Sequence, residues 1–297
     1  MTADHTGLGR ACGTFGELVQ GILPDDREFL VTFPINTGTT VRFRRTPGVP
    51  EIHVRPAHKV KARTLARATL DALGIQDGGV LEIFSDLPEG KGLASSSADL
   101  VATARAVAAA VGAPLDESTT EDLMRAVEPS DGVMYDGVVA FYHREVRLHS
   151  HLGALPPIAV IAHDEGGQVD TVQHNRHAKP FDHADKREYA RLLAEIGEAI
   201  AVGDLRAVGR IATRSAEMHA KLRVRPGFAT LRRACEEVDG LGLALAHSGT
   251  VLGIMLAADD PELAGKERRV RETCAQLGGE ITLYHSSPVA DRLEIRG

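Results

Sequence analysis

The chain has 297 residues, 43% hydrophobic and 25% charged, a globular composition that excludes wholesale disorder and leaves room for two domains or one large one. Lys and Arg total 34 against 41 Asp and Glu, a formal charge of −7, which argues against a nucleic-acid scaffold built on clustered cations. Cys12, Cys235 and Cys274 are widely spaced and form no C-x-x-C pair, so neither a disulfide framework nor a zinc ribbon is expected, and the setting predicted is reducing and cytoplasmic.

Met1–Arg10 is polar and lacks the apolar run of a signal peptide. Alternation and β-branched content predict strands at Glu28–Phe33, Thr39–Arg44, Glu51–Val54 and Val80–Phe84. Between the last two, Ala62, Leu65, Ala66, Thr69, Leu70 and Leu73 recur at helical spacing, so Lys59–Leu73 reads as a helix closed by Gly74. The Ala-rich Ser97–Val111 is apolar nearly all round and predicts a buried helix ended by Gly112-Ala-Pro114. A short helix, Ser118–Val127, opens on a Ser-Thr-Thr-Glu capping pattern. Strands return at Gly137–His143 and Ile158–His163, and the turn-rich Gly153–Pro157 between them marks a domain boundary, 1–154 against 155–297. Gly166–Asp182 reads as an exposed loop, and helices are predicted at Asp185–Val202, Leu205–Lys221, Gly227–Val238 and Pro261–Leu277. The most apolar stretch, Leu241–Ala258, is broken by His247, Ser248, Gly249, Thr250 and Gly253, so it predicts a buried strand–turn–helix and no membrane span. Glu280–Tyr284 reads as a closing strand, and the mixed order indicates an α+β fold.

Leu87–Ala98, Leu-Pro-Glu-Gly-Lys-Gly-Leu-Ala-Ser-Ser-Ser-Ala, lies between a strand and the buried helix. Gly90 and Gly92 let backbone approach a ligand, and three serines sit where unpaired helix N–H groups favour polyphosphate. Their hydroxyls suit a helix cap or a phosphate-bound magnesium ion. A Walker A loop is excluded because Lys91 is followed by Gly92, and a Rossmann fingerprint because Ser95 stands where its third glycine belongs. Glu128-Pro-Ser-Asp131 follows a short helix stopped by Pro129. Two acids on one turn permit a division of labour in phosphoryl transfer, one holding metal and the other accepting the alcohol proton. A helix stop with solvated acids is the competing reading. His174-x-x-His177 and His183 lie in a cysteine-free, charged loop and are not assigned a zinc site. Arg42, Arg44 and Arg45 read as a solvated face.

Pro88-x-x-x-Gly92-Leu93-x-Ser95-Ser96 resembles the second signature of the GHMP kinases. Ala11–Glu17 resembles their first motif, and Ala246–Gly253 their third. Gly13–Gly21, Lys91–Asp99, Glu128–Asp131, Arg225-Pro-Gly-Phe228 and Ala246–Gly249 resemble the threonine-phosphorylating branch associated with cobalamin biosynthesis. The resemblance implies a two-domain α+β fold, with an N-terminal S5-like domain and a C-terminal ferredoxin-like α/β sandwich. It implies phosphorylation of the L-threonine hydroxyl by ATP with Mg2+, to give O-phospho-L-threonine. Pro88, Gly90, Lys91, Gly92, Leu93, Ala94, Ser95, Ser96 and Ser97 would bind nucleotide, Ser96 and Glu128 the metal, and Asp131 would be the catalytic aspartate, as base or electrostatic guide. Gly13, Thr14, Gly16, Glu17, His247, Ser248 and Gly249 would face the substrate. For Glu17 the choice is between the substrate ammonium and a surface acid. For His247 and Ser248 it is between substrate carboxylate or γ-phosphate and a satisfied core position. Many relatives carry lysine where this chain has Thr14, and whether Lys91 replaces it is open. Other small hydroxy compounds, or a ligand-binding homologue without turnover, are the alternatives. No nucleic-acid or membrane partner is expected, and a homodimer is left open.

Overall fold

The computed structural model describes residues 5–167 and 180–287. Two long strands open it, β1 (Thr6–Ile22) and β2 (Glu28–Thr46), paired antiparallel from Thr6↔Arg44 to Ile22↔Glu28. The strand at the chain start is absent from the sequence reading, because Gly7, Gly9, Gly13, Gly16 and Gly21 lower its β propensity. Packing explains two of them. A Cβ on Gly7 would lie 2.2 Å from the Ala106 carbonyl oxygen, and one on Gly9 2.1 Å from that of Ala102. The strand therefore lies almost backbone to backbone on the Ala-rich helix α2 (Ser95–Val111).

β3 (Ile52–Arg55), α1 (Val60–Ala72) and β4 (Gly78–Ser85) precede α2, and α3 (Glu117–Arg125), β5 (Val138–Tyr142) and β6 (Arg147–Gly153) follow it. The two predicted strands at 28–33 and 39–44 are one strand, β2. β6 escaped prediction because it lacks a buried face; its residues alternate exposed and half-buried. The α3 cap is Asp116, whose carboxylate accepts from Thr119 N at 2.7 Å, two residues earlier than the expected Ser118. Glu121 of the expected capping box instead accepts from Tyr135 OH at 2.8 Å and Leu148 N at 2.6 Å.

β7 (Ile158–Asp164), α4 (His183–Ala201), α5 (Leu205–His219), α6 (Phe228–Glu237), β8 (Gly242–Leu245), β9 (Val251–Ala257), α7 (Leu263–Ala275) and β10 (Glu280–His285) complete the chain. The stretch 241–258 is a strand–turn–strand hairpin, not strand–turn–helix: Val251–Ala257 pairs with β7 on one side and β8 on the other, so its continuous apolar run is buried in a sheet centre. Residues 168–179 of the expected loop, with His174 and His177, lie outside the described residues.

The strands form one curled α+β sheet in the order β10-β7-β9-β8-β1-β2-β4-β3, with β5 pairing β2 and β6. Among the described strands only β3 and β4 pair in parallel. Among the described residues, the two halves of the sheet meet at the β1–β8 register pair Glu17↔Leu245 and at an isolated antiparallel bridge, Ile35↔Ser286. A main core contains Phe15, Phe33, Phe43, Phe141 and the inner face of α2. A second cluster, with Leu231, Leu243, Leu252, Ile254 and Val270, fills the space beneath α6 and α7. Among the described residues no helix is long and apolar enough to cross a membrane.

Candidate active site

Two sequence-distant segments converge on the loop before α2. Thr14 N donates to Leu93 O at 3.2 Å, and Gly16 N to Gly92 O at 3.3 Å. From the other half of the chain, Thr250 N and Val251 N donate to Lys91 O at 3.2 and 3.4 Å. A Cβ on Gly249 would lie 1.9 Å from that same Lys91 oxygen, and one on Gly13 2.6 Å from Leu93 O, so both glycines are required by close backbone approach. With carbonyls 91–93 tied back in this way, Gly90 and Gly92 adopt positive φ, and Ala94 enters α2 in the left-handed region at φ 55°. Among the described residues no side chain caps α2, and its first turn has no acid. The opening N–H groups of this helix are thus suited to an anion.

The helix N-terminus faces a cavity of about 190 Å3. Gly90, Gly92–Ser97, Glu128–Asp131, Glu17, His247 and Ser248 line it, together with Leu30, Lys61 and His143. Pro88, Lys91, Gly13, Thr14, Gly16 and Gly249 do not; the glycines and Thr14 lie beneath the loop, supporting its backbone. The Lys91 ammonium turns away to Asp164 Oδ2 at 2.6 Å and Gly167 O at 2.9 Å. Asp164 also accepts from Thr250 Oγ1 at 2.5 Å, so this lysine clamps the loop to β7 and to the third motif.

The serines of α2 reach across to the acidic segment. Ser96 Oγ donates to Glu128, whose carboxylate is also ion-paired with Lys61. Ser97 Oγ accepts from Asp131 N at 3.0 Å and donates to Asp131 Oδ2 at 3.2 Å. Ser130 N donates to His143 O at 3.0 Å, pinning the segment to the end of β5. Burial pushes the Asp131 carboxyl up to about 6, with the Ser97 hydrogen bond opposing that and the Glu128 charge adding to it.

Glu17 is on strand β1, and register shifts on either side of it re-aim the local side chains. It is 4% exposed, and its Oε2 has no hydrogen-bond partner among the described residues. Burial, and then the charge of Asp131, raise its pKa well above the usual carboxylate range. His247 Nδ1 is 2.7 Å from Gln20 Oε1, and its ring packs edge-on against His143 at 5.0 Å. Lys61, His143 and Gln20 were not singled out as site residues, since they are brought in by tertiary register; only the Gly13–Gly21 motif hinted at Gln20.

Ser96 and Glu128 offer hard oxygen donors beside the helix N-terminus, a donor set that suits magnesium. Glu28, His143 and His247 also bring ligand atoms within 4.8 Å of one another, but Glu28 is ion-paired with Arg144 at 2.8 Å.

Residues 59–144 match the family described as the GHMP kinases N terminal domain. The chain is 30% identical over 278 residues to an L-threonine kinase of Salmonella typhimurium, covering 92% of this chain and 90% of that one. A Citrobacter freundii L-threonine kinase is 30% identical over 243 residues, 81% of this chain and 83% of its own. The fold is similar to homoserine kinase from Cytophaga hutchinsonii, with TM-score 0.76 at 18% identity over 98% and 97% of the two chains. It is also similar to L. major mevalonate kinase, with TM-score 0.69 at 17% identity over 97% of each. The likeness along nearly the whole chain to curated kinases, on a fold shared with homoserine and mevalonate kinases, means that the chain belongs to the GHMP kinase family of ATP-dependent phosphotransferases.

Proposed function

We propose that the protein transfers the γ-phosphoryl group of ATP to the side-chain hydroxyl of L-threonine, giving O-phospho-L-threonine and ADP. The observation that carries the chemistry is the double hydrogen bond between Ser97 and Asp131, which sets a carboxylate beside the N-terminus of α2. The acceptor is inferred from the two L-threonine kinase relatives.

In this reading the polyphosphate lies against Gly90–Ser97, where backbone N–H groups stabilise charge on the transferring group. The hydroxyl proton passes to Asp131 as the new O–P bond forms, and the bond from phosphorus to the ADP oxygen breaks. A carboxyl poised near 6 is largely ionised at neutral pH yet basic enough to take part. Ser96 and Glu128 would hold Mg2+, which when bound neutralises phosphate charge. Glu17 receives the substrate ammonium. Residues 1–154 and 155–297 act as two units flanking the cleft, in the cytoplasm. Release of ADP on adding threonine, with phosphothreonine identified as product, tests the reading.

A further inference from the structure

We infer that Arg225 is a positioning residue for the phosphate loop: it sets the direction of peptide groups in the third motif, and these hold the N–H groups of the loop toward the cavity. The inference rests on the kinase reading above, which lays the polyphosphate on that loop. It also gives a role to Arg225-Pro-Gly-Phe228, a sequence feature that contributes nothing to the cavity lining.

Arg225 is buried behind the third motif. Its Nη1 donates to Gly249 O at 2.8 Å and its Nη2 to Val251 O at 3.0 Å. On the Nε side it is ion-paired with Glu165 Oε2 at 2.8 Å. Glu165 Oε1 accepts from Gly227 N at 3.2 Å, and Glu165 N donates to Thr250 O at 3.2 Å. A planar guanidinium serves two carbonyls and a carboxylate at once from fixed directions, which a lysine ammonium does not.

In a trans peptide the C=O and the N–H that follows it point in opposite directions, and the peptides of this turn are trans. With Gly249 O and Thr250 O held on one side, Thr250 N–H and Val251 N–H are turned to the other, where both donate to Lys91 O at 3.2 and 3.4 Å. The same relation repeats in the loop. Lys91 O is held by the third motif, Gly92 O by Gly16 N and Leu93 O by Thr14 N. The N–H groups of Gly92, Leu93 and Ala94 are thereby turned away from these supports, and all three residues line the cavity. Successive N–H groups aimed to one side make a concave anion site. Of the three supports, the one on Lys91 O is set by Arg225, and its loss frees the 91–92 peptide to turn over.

The test uses the full chain, with ADP and adenosine as probes. Arg225→Lys should weaken ADP binding roughly tenfold, as when hydrogen bonds from a charged donor are lost, and leave adenosine binding unchanged. Glu165→Gln keeps an acceptor for Arg225 and both of its carbonyl contacts, so it should retain most of the ADP affinity. A merely structural role would weaken both ligands together. A buried ion pair adds little to stability over an apolar pair of the same size, so Arg225→Met combined with Glu165→Gln serves if Arg225→Lys does not fold, with the same selective loss expected. In the wild type, ADP but not adenosine should shift the amide NMR signals of Gly92, Leu93 and Ala94 and, through the linked peptides, those of Thr250 and Val251. Equal loss for the two ligands, ADP affinity indifferent to Arg225, or unmoved Thr250 and Val251 signals overturns the inference. Failure of the kinase reading is distinguishable, because it would leave Arg225-dependent ADP binding with no phosphothreonine formed.

Discussion

Ser97 and Asp131 are hydrogen-bonded in both directions, Ser97 Oγ accepting from the aspartate N at 3.0 Å and donating to its Oδ2 at 3.2 Å. The helix proposed to bind phosphate and the proposed proton acceptor are therefore one rigid unit. That hydrogen bond opposes the rise that burial imposes on Asp131. Ser97→Ala should consequently move the acid limb of kcat upward from about 6 and lower kcat at pH 7 by roughly tenfold. A pH–rate profile that overlays wild type would separate Ser97 from the chemistry.

Asp131 should also cost stability at neutral pH. Its folded pKa of about 6 lies above the ordinary 3.8, so between those values the native state holds a proton that the unfolded chain has released. The contribution is full below the lower value and lost as pH rises through the upper one. Asp131→Asn is expected to raise Tm by roughly 2–6 °C at pH 8, to give no gain near pH 3.5, and to lower kcat by about a hundredfold or more with ATP affinity little changed. Thermal unfolding at the two pH values, with kinetics on the same samples, checks it. A lower Tm at pH 8 would contradict the electrostatic account.

For the metal, Ser96→Ala removes one of two proposed oxygen donors while leaving Glu128 in place. The magnesium concentration for half-maximal rate should rise several-fold, and saturating magnesium should restore most of kcat. A titration that overlays wild type would leave Ser96 as a structural partner of Glu128 alone.

Lys91 tests the backbone view of the phosphate loop. Its ammonium pairs with Asp164 outside the cavity, and a part-exposed pair of this kind is worth at most about 1 kcal/mol, or roughly fivefold. Lys91→Met should therefore raise the KM for ATP by less than about fivefold. Combined with Asp164→Asn, the two losses should fall short of additive. A hundredfold loss of kcat from Lys91→Met alone would instead put the ammonium on the phosphates.

How much of this was legible depended on whether a constraint was local. The Gly90–Ser97 loop could be read because close backbone approach admits only small residues at set positions. Pro129 made the acidic segment visible by stopping α3, and both acids do line the cavity. The strand β1 was hidden because its glycines answer to α2, about a hundred residues later in the chain. Lys61 gave no signal, since its pairing with Glu128 spans 67 positions and is created only when α1 packs beside α2. The hairpin at 241–258 was misread for a related reason. A short apolar run fits helix or buried strand equally until its neighbours are known.

The central claim is phosphoryl transfer to threonine, and the most direct measurement is kcat/KM for threonine, serine and homoserine at saturating ATP, with phosphorus NMR of the product. Threonine should exceed serine by roughly 10–200-fold, the range one methyl group can give. Homoserine should be poorer still, because its hydroxyl lies one bond too far for in-line attack. The product resonance should be that of O-phospho-L-threonine. Threonine that elicits no ADP from a protein able to bind ATP, or homoserine or an unrelated alcohol that outperforms it roughly tenfold, would contradict the account.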